Sequence, residues 1–213
     1  MECRTARGAA EIEGEFISLA REALSAETTL RDGRFVNVSA PGETLTRLEC
    51  AGARFEGCRF SGCRFQYSSW RTVEFIRCDF SNCDFTDSGF QDCRFAGCKA
   101  VGASFIQSVW ERVSCADSVF AYANFNGAVW KQIEAADCEF REAVLSECRL
   151  TKLRLDRVSL RGACLFRTPL SGVDLTRCTT EGMVLSGEEL RGAVVDRFQA
   201  SEFARLFGVV IRE

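Results

Sequence analysis

A large apolar residue recurs at every fifth position of this chain, a period that matches neither the 3.6 of a helix nor the 2 of a strand. "CRFSGCRFQ", Cys58 to Gln66, shows the rhythm in miniature. The column of multiples of five holds Phe55, Phe60, Phe65, Trp70, Phe75, Phe80, Phe85, Phe90, Phe95, Phe105, Trp110, Phe120, Phe125, Trp130 and Phe140. After Phe140 it turns to leucine, with Leu145, Leu150, Leu155, Leu160, Leu165, Leu170 and Leu175. Two residues earlier runs a second column, from Ala53 to Ala193, in which 25 of 29 residues are Ala, Cys, Ser, Thr or Val. Most of the Arg, Asp, Glu, Gln and Gly fall in the remaining three columns.

Alternate residues of an extended segment point to one side, so each five-residue unit sends one large and one small side chain inward. A turn at every unit boundary swings the chain to a new face. Four faces close a square coil of twenty residues, and coils stack at the strand spacing of about 4.8 Å. Residues twenty apart then share a face, so Trp70, Phe90, Trp110 and Trp130 form one stack and Phe65, Phe85, Phe105 and Phe125 another. Where Ala100, Cys115 and Ala135 interrupt the large column, Trp110 and Trp130 are expected to lean into the space left.

Nine of the thirteen cysteines, among them Cys58, Cys63, Cys78 and Cys83, occupy the small inward column. There cysteine serves as a small buried hydrophobe. A zinc site built from those four lacks the C-x2-C spacing of structural zinc modules, so no metal or cofactor is expected. The chain has no histidine, hence no Ser-His or Cys-His pair, and no Gly-rich phosphate loop, which argues against an enzyme. Residues 51–150 carry 11 Lys+Arg and 13 Asp+Glu with the signs interleaved, so direct nucleic-acid binding is not expected. "KLRLDRVSLR", Lys152 to Arg161, reads as a solvated basic face. No apolar run is long enough to cross a bilayer, and "MECRTARGAA" lacks the apolar stretch of a leader; a cytoplasmic protein is expected.

The repeat units resemble those of the pentapeptide-repeat proteins. "ANFNG" at Ala123 and "VDLTR" at Val173 match their Ala-(Asp/Asn)-Leu-X-X motif, and "CRFSG", "CDFSN" and "CDFTD" are its Cys-Phe version. The resemblance implies an all-β fold, a right-handed quadrilateral β-helix over residues 30–195, preceded by an N-terminal cap at 1–29 in which Phe16, Leu19, Ala20, Ala23 and Leu24 have helical spacing. Residues 196–213 leave the rhythm and read as a short helix, a stop at Gly208 and a strand, Val209 to Ile211.

This tail, "VDRFQASEFARLFGVVI", is similar to the ending of the Qnr-type quinolone-resistance proteins, and the loop-free body is similar to their Gram-positive members. That resemblance implies a homodimer joined through the C-terminus, with Phe198, Phe203, Leu206, Phe207, Val209 and Ile211 at the joint. It further implies a DNA-mimicking rod that binds DNA gyrase or topoisomerase IV and protects against fluoroquinolones. Asp117, Glu134, Asp137, Glu139, Glu142 and Glu147 form the expected partner-binding surface. Arg54, Arg59, Arg64, Arg94 and Arg149 stand in an outward column that such mimics fill with Asp or Asn. The alternative is an interaction scaffold for an unrelated partner, marked by outward apolar residues at Ile76, Val101, Ile106 and Phe166.

Overall fold

A computed structural model describes residues 15–212; the leader reading of residues 1–10 and the start of the N-terminal cap lie outside the described residues. A helix, α1 (Phe16–Ser25), leads into a coil that winds regularly from Leu30. Short strands recur twice in every twenty residues, as in Glu49–Ala51 and Arg54–Glu56, and form two parallel seven-stranded sheets. The register is always twenty: Phe55 pairs with Phe35 and Phe75, and Trp110 with Phe90 and Trp130. Two further ladders of parallel bridges, one through Arg59, Asp79 and Lys99 and one through Arg64, Asp84 and Ser104, make the third and fourth walls.

The coils are held by main-chain bonds that step to the next coil and back. Phe60 N donates to Asp79 O at 2.8 Å, and Asp79 N to Cys58 O at 2.8 Å. Many corners are also closed by a bond from the residue three ahead, such as Cys63 N to Phe60 O at 3.0 Å. Nearly every corner places its second residue at positive φ, Arg177 being an exception. Gly62 sits there at 71°, but so do Asn82 at 57°, Asp137 at 53° and Tyr122 at 60°. The column two past each large residue is thus a left-handed ladder, the geometry that favours Gly, Asn and Asp.

The interior is aromatic from Phe16 to Phe140. Rings twenty apart stack, as Phe85 on Phe105 at 5.2 Å and 1°, while rings five apart meet edge to face, as Phe75 and Phe80 at 5.1 Å and 87°. Each good pair adds on the order of 1 kcal/mol beyond the area it buries. Trp110 lies stacked on Phe95 at 5.3 Å and 21°, in the room that Cys115 leaves above it. The open N-terminal mouth is plugged by α1: Phe16 is fully buried and packs edge-on against Phe35, Phe55 and Phe60 at 5.1–5.3 Å. Beyond Phe140 the leucine column packs less fully, and an apolar cavity of about 20 Å³ lies between Trp130, Phe140 and the leucines.

The small inward column carries hydrogen bonds to the walls as well as bulk. Cys63 Sγ donates to Ala40 O at 2.9 Å and Cys83 Sγ to Phe60 O at 2.8 Å, one coil apart on the same face. Burial pushes the Cys93 thiol up to about 12 and the Cys138 and Cys148 thiols up to about 11, so these groups stay protonated and inert. Serines in the same column accept from tryptophan: Trp70 Nε1 donates to Ser68 Oγ at 2.7 Å and Trp110 Nε1 to Ser108 Oγ at 2.9 Å. Position 128 is alanine, and the buried Nε1 of Trp130 has no partner among the described residues. Ala128→Ser is therefore expected to stabilise the protein by about 1 kcal/mol, read as a higher urea midpoint at unchanged slope. An unchanged or lower midpoint contradicts this account of Trp130.

Candidate functional site

Among the described residues, no three His, Cys, Asp or Glu side chains converge to hold a metal ion, and the interior leaves no space beyond the small void among the leucines. What this molecule offers another is its outer walls and its C-terminal end. The end is built from one break in the rhythm. At the last coil a short 3-10 turn, Glu188–Leu190, turns Glu189 inward, where it is 5% exposed. Its carboxylate accepts from Arg167 N at 2.8 Å, Ser186 N at 2.9 Å, Gly187 N at 3.0 Å and the Ser186 hydroxyl. In a regular coil a carbonyl of the next turn would take the Arg167 amide, as Phe166 O takes the Glu147 amide. Burial by itself raises the pKa of Glu189; these donors, the Arg167 amide first, outweigh it and hold the group below the ordinary glutamate value.

Over that coil sits α2 (Arg197–Ala204). Asp196 starts it with a capping box: its carboxylate accepts from Phe198 N and Gln199 N at 2.7 and 2.9 Å, and Gln199 Oε1 accepts from Asp196 N at 3.0 Å. The Gln199 amide then donates to Leu175 O at 2.7 Å and Cys178 O at 2.9 Å, carbonyls that have no further coil to meet. Phe203 is 6% exposed and belongs to this chain's own core, which removes it from the expected dimer joint; at the spacing of a helix it shares the inward side with Gln199. Phe198 faces outward at 70% exposure. A 3-10 turn, Arg205–Phe207, carries the Phe207 ring over Gly187, where a Cβ would meet it at 2.4 Å, and Gly208 ends the turn at φ 72°. Val209 to Ile211 is not a strand in the single chain, because no neighbouring edge pairs with it among the described residues. Leu206, Phe207, Val209, Val210 and Ile211 all remain exposed.

The expected acids spread over two walls and three corners of the coil, and they are largely paired. Arg157 Nε meets Asp137 at 2.6 Å, Arg154 meets Glu134 at 3.1 Å and Arg167 meets Glu147 at 3.3 Å, each partner lying one coil away. Arg141 reaches Glu139 at 2.9 Å and Glu142 at 3.4 Å, and its Nη1 donates to Tyr122 Oη at 2.6 Å. Hydrogen bonding from the facing arginine holds Asp92 and Asp137 below the usual carboxylate range. Of the six expected partner-binding acids, Asp117 is the one without an ion pair among the described residues. Of the outward apolar residues, Phe166 is 43% exposed, while Ile76, Val101 and Ile106 are half-buried.

A family model described as pentapeptide repeat region matches residues 68–142, and a second, pentapeptide repeats (8 copies), matches 138–177; together they span just over half of the chain. The chain belongs to the pentapeptide-repeat family. Members of this family are non-catalytic structural and interaction proteins. No curated protein matches it. It is similar to the crystal structure of HetL, a pentapeptide repeat protein involved in heterocyst differentiation regulation from the cyanobacterium Nostoc. The TM-score is 0.57 at 14% identity, over 87% of this chain and 92% of HetL. A trypsin-treated variant of QnrB1, a plasmid-mediated fluoroquinolone resistance protein, aligns over 87% of this chain and 90% of its own at 22% identity and a TM-score of 0.44. At such an identity the HetL likeness bears on the fold alone. No helix among the described residues is long and apolar enough to cross a membrane.

Glu189 supplies a pH test of the C-terminal end. Its folded pKa is depressed, so its contribution is present above the ordinary glutamate pKa of about 4.3 and is lost as pH falls through the lower folded value. Glu189→Gln is expected to cost about 1–3 kcal/mol at pH 7, with a correspondingly flatter acid limb in urea midpoints measured against pH. Parallel acid limbs for the two proteins would remove this role.

Proposed function

We propose that the protein works as a dimeric binding rod and that its partner is DNA gyrase or topoisomerase IV, which it engages in DNA's place and so shields from fluoroquinolones. The observation that carries this reading is the C-terminal end. The stretch whose sequence is similar to the Qnr-type ending forms a capped helix docked on the last coil, and it leaves Phe198, Leu206, Phe207 and Val209 to Ile211 each exposed. Large apolar side chains left exposed at one end of a small rod mark a protein contact. A two-fold joint there lets the unpaired Val209–Ile211 segments of two copies meet.

One observation favours a second reading, an interaction scaffold with an unrelated partner. Mimicry of DNA needs a uniformly negative wall facing a basic groove. Residues 79–147 carry 11 acids and 5 bases, but residues 149–212 carry 11 bases and 7 acids, so the charge reverses along the rod. The arginine partners of Glu134, Asp137 and Glu147 come from that basic portion, and they blunt the acidic surface.

The two readings separate in a supercoiling assay with purified gyrase, with and without ciprofloxacin. The mimic lowers supercoiling or restores it in the presence of drug at micromolar dimer; a folded protein that does neither leaves the scaffold. For the dimer, Phe198→Asp combined with Leu206→Asp is expected to halve the mass in light scattering, since both side chains point to solvent in the single chain. An unchanged mass removes the joint.

A further inference from the structure

One wall of the rod differs from the other three. From Ser104 to Ser186, the outward positions on the wall that bridges Ser104, Asn124, Val144, Cys164 and Val184 hold no Asp, Glu, Lys or Arg. The other three walls carry charge over the same coils. Toward the C-terminal end this neutral wall becomes apolar. Val184 is 55% exposed and Phe166 43%, with Val144 and Cys164 half-buried beside them. Arg167 covers one side of the Phe166 ring, 5.1 Å from its centroid, and is itself paired with Glu147. The wall runs without a break into the C-terminal end, because the Phe207 ring rests on Gly187, the corner that follows Val184 and Ser186.

Area decides what could cover this surface. Protein contacts are depleted of charge at their centre, and a stable one buries roughly 800 Å² on each partner. The exposed parts of Phe198, Leu206, Phe207, Val209, Val210 and Ile211 come to on the order of 600 Å², most of what one partner of such a contact buries. Phe166 and Val184 make up most of the difference. The segment that is itself neutral, extended and unpaired is Val209 to Ile211, with Val210 82% exposed.

We propose that in the dimer the Val209–Ile211 segment of each copy crosses onto the neutral wall of the other and seats on Val184 and Phe166, so that the joint wraps from the end of the rod onto one side. This rests on the dimer reading above and specifies its contact. The wall also supplies the probe. Cys164 lies on it and is, among the described residues, the one cysteine that is not buried.

In a Cys3→Ser background, Val210→Cys protein treated with a short bismaleimide is expected to give a covalent dimer. That dimer should disappear when Cys164→Ser is added. Val184→Glu is expected to weaken dimerisation about tenfold or more in light scattering, whereas Val109→Glu, at an equally outward site on another wall, leaves it within about twofold. Far-ultraviolet circular dichroism and the melting temperature check that each variant is folded. A solution dimer that gives no Cys164-dependent cross-link and tolerates Val184→Glu overturns the wrapped contact and keeps the dimer. An unmodified protein that stays monomeric at high concentration overturns both.

Discussion

Everything in this molecule depends on the pairing of each residue with those twenty places before and after it. Main-chain bonds such as Phe60 N to Asp79 O fix the spacing of the coils, and the side chains have no choice but to stack in register. Inside, that puts ring on ring; outside, it puts Arg157 on Asp137 and Arg112 on Asp92. The same geometric fact produces a dense core and a partly neutralised surface. The coils need no cavity and no loop, which leaves only walls and ends to carry function.

The two ends solve one problem by different chemistry. An open coil presents unpaired carbonyls and amides along with exposed apolar rings. At the N-terminal mouth the rings are the larger liability, and Phe16 covers them edge-on. At the C-terminal end the polar groups matter more. Glu189 stands in for absent carbonyls, and the Gln199 amide for absent amides. Both are polar side chains buried with every partner supplied, the condition under which such burial stabilises rather than costs.

The inward columns were legible in the sequence because bulk and its absence alternate there without slipping phase, and the wall architecture follows from them. The left-handed corner column was not, although its signal was present. Gly62, Asn82, Asp92 and Asp137 share the position two past each large residue, and polar residues at a corner pass for ordinary surface until φ is known. The ion pairs were missed for a related reason. Glu134 and Arg154, or Glu147 and Arg167, are neighbours only once the twenty-residue pairing is applied to the outside of the coil as well as the inside. Phe203 reads as an outward aromatic in the sequence because its helix presents Gln199 and Phe203 to the coil and Phe198 to solvent, a division that aromatic spacing alone does not reveal. Glu189 could not be read at all, since it becomes inward only where the five-residue phase fails.

The constant register also sets what kinds of change in length the rod can absorb. Gaining or losing one whole turn of twenty residues keeps every later wall facing the way it did. Losing a single five-residue unit keeps large and small residues alternating inward, yet it rotates everything downstream by a quarter of a circle. The core would hardly notice, while Val184 and the tail would point at a different neighbour than the upstream surface does. In such a molecule, a deletion invisible to stability can rewire which faces act together.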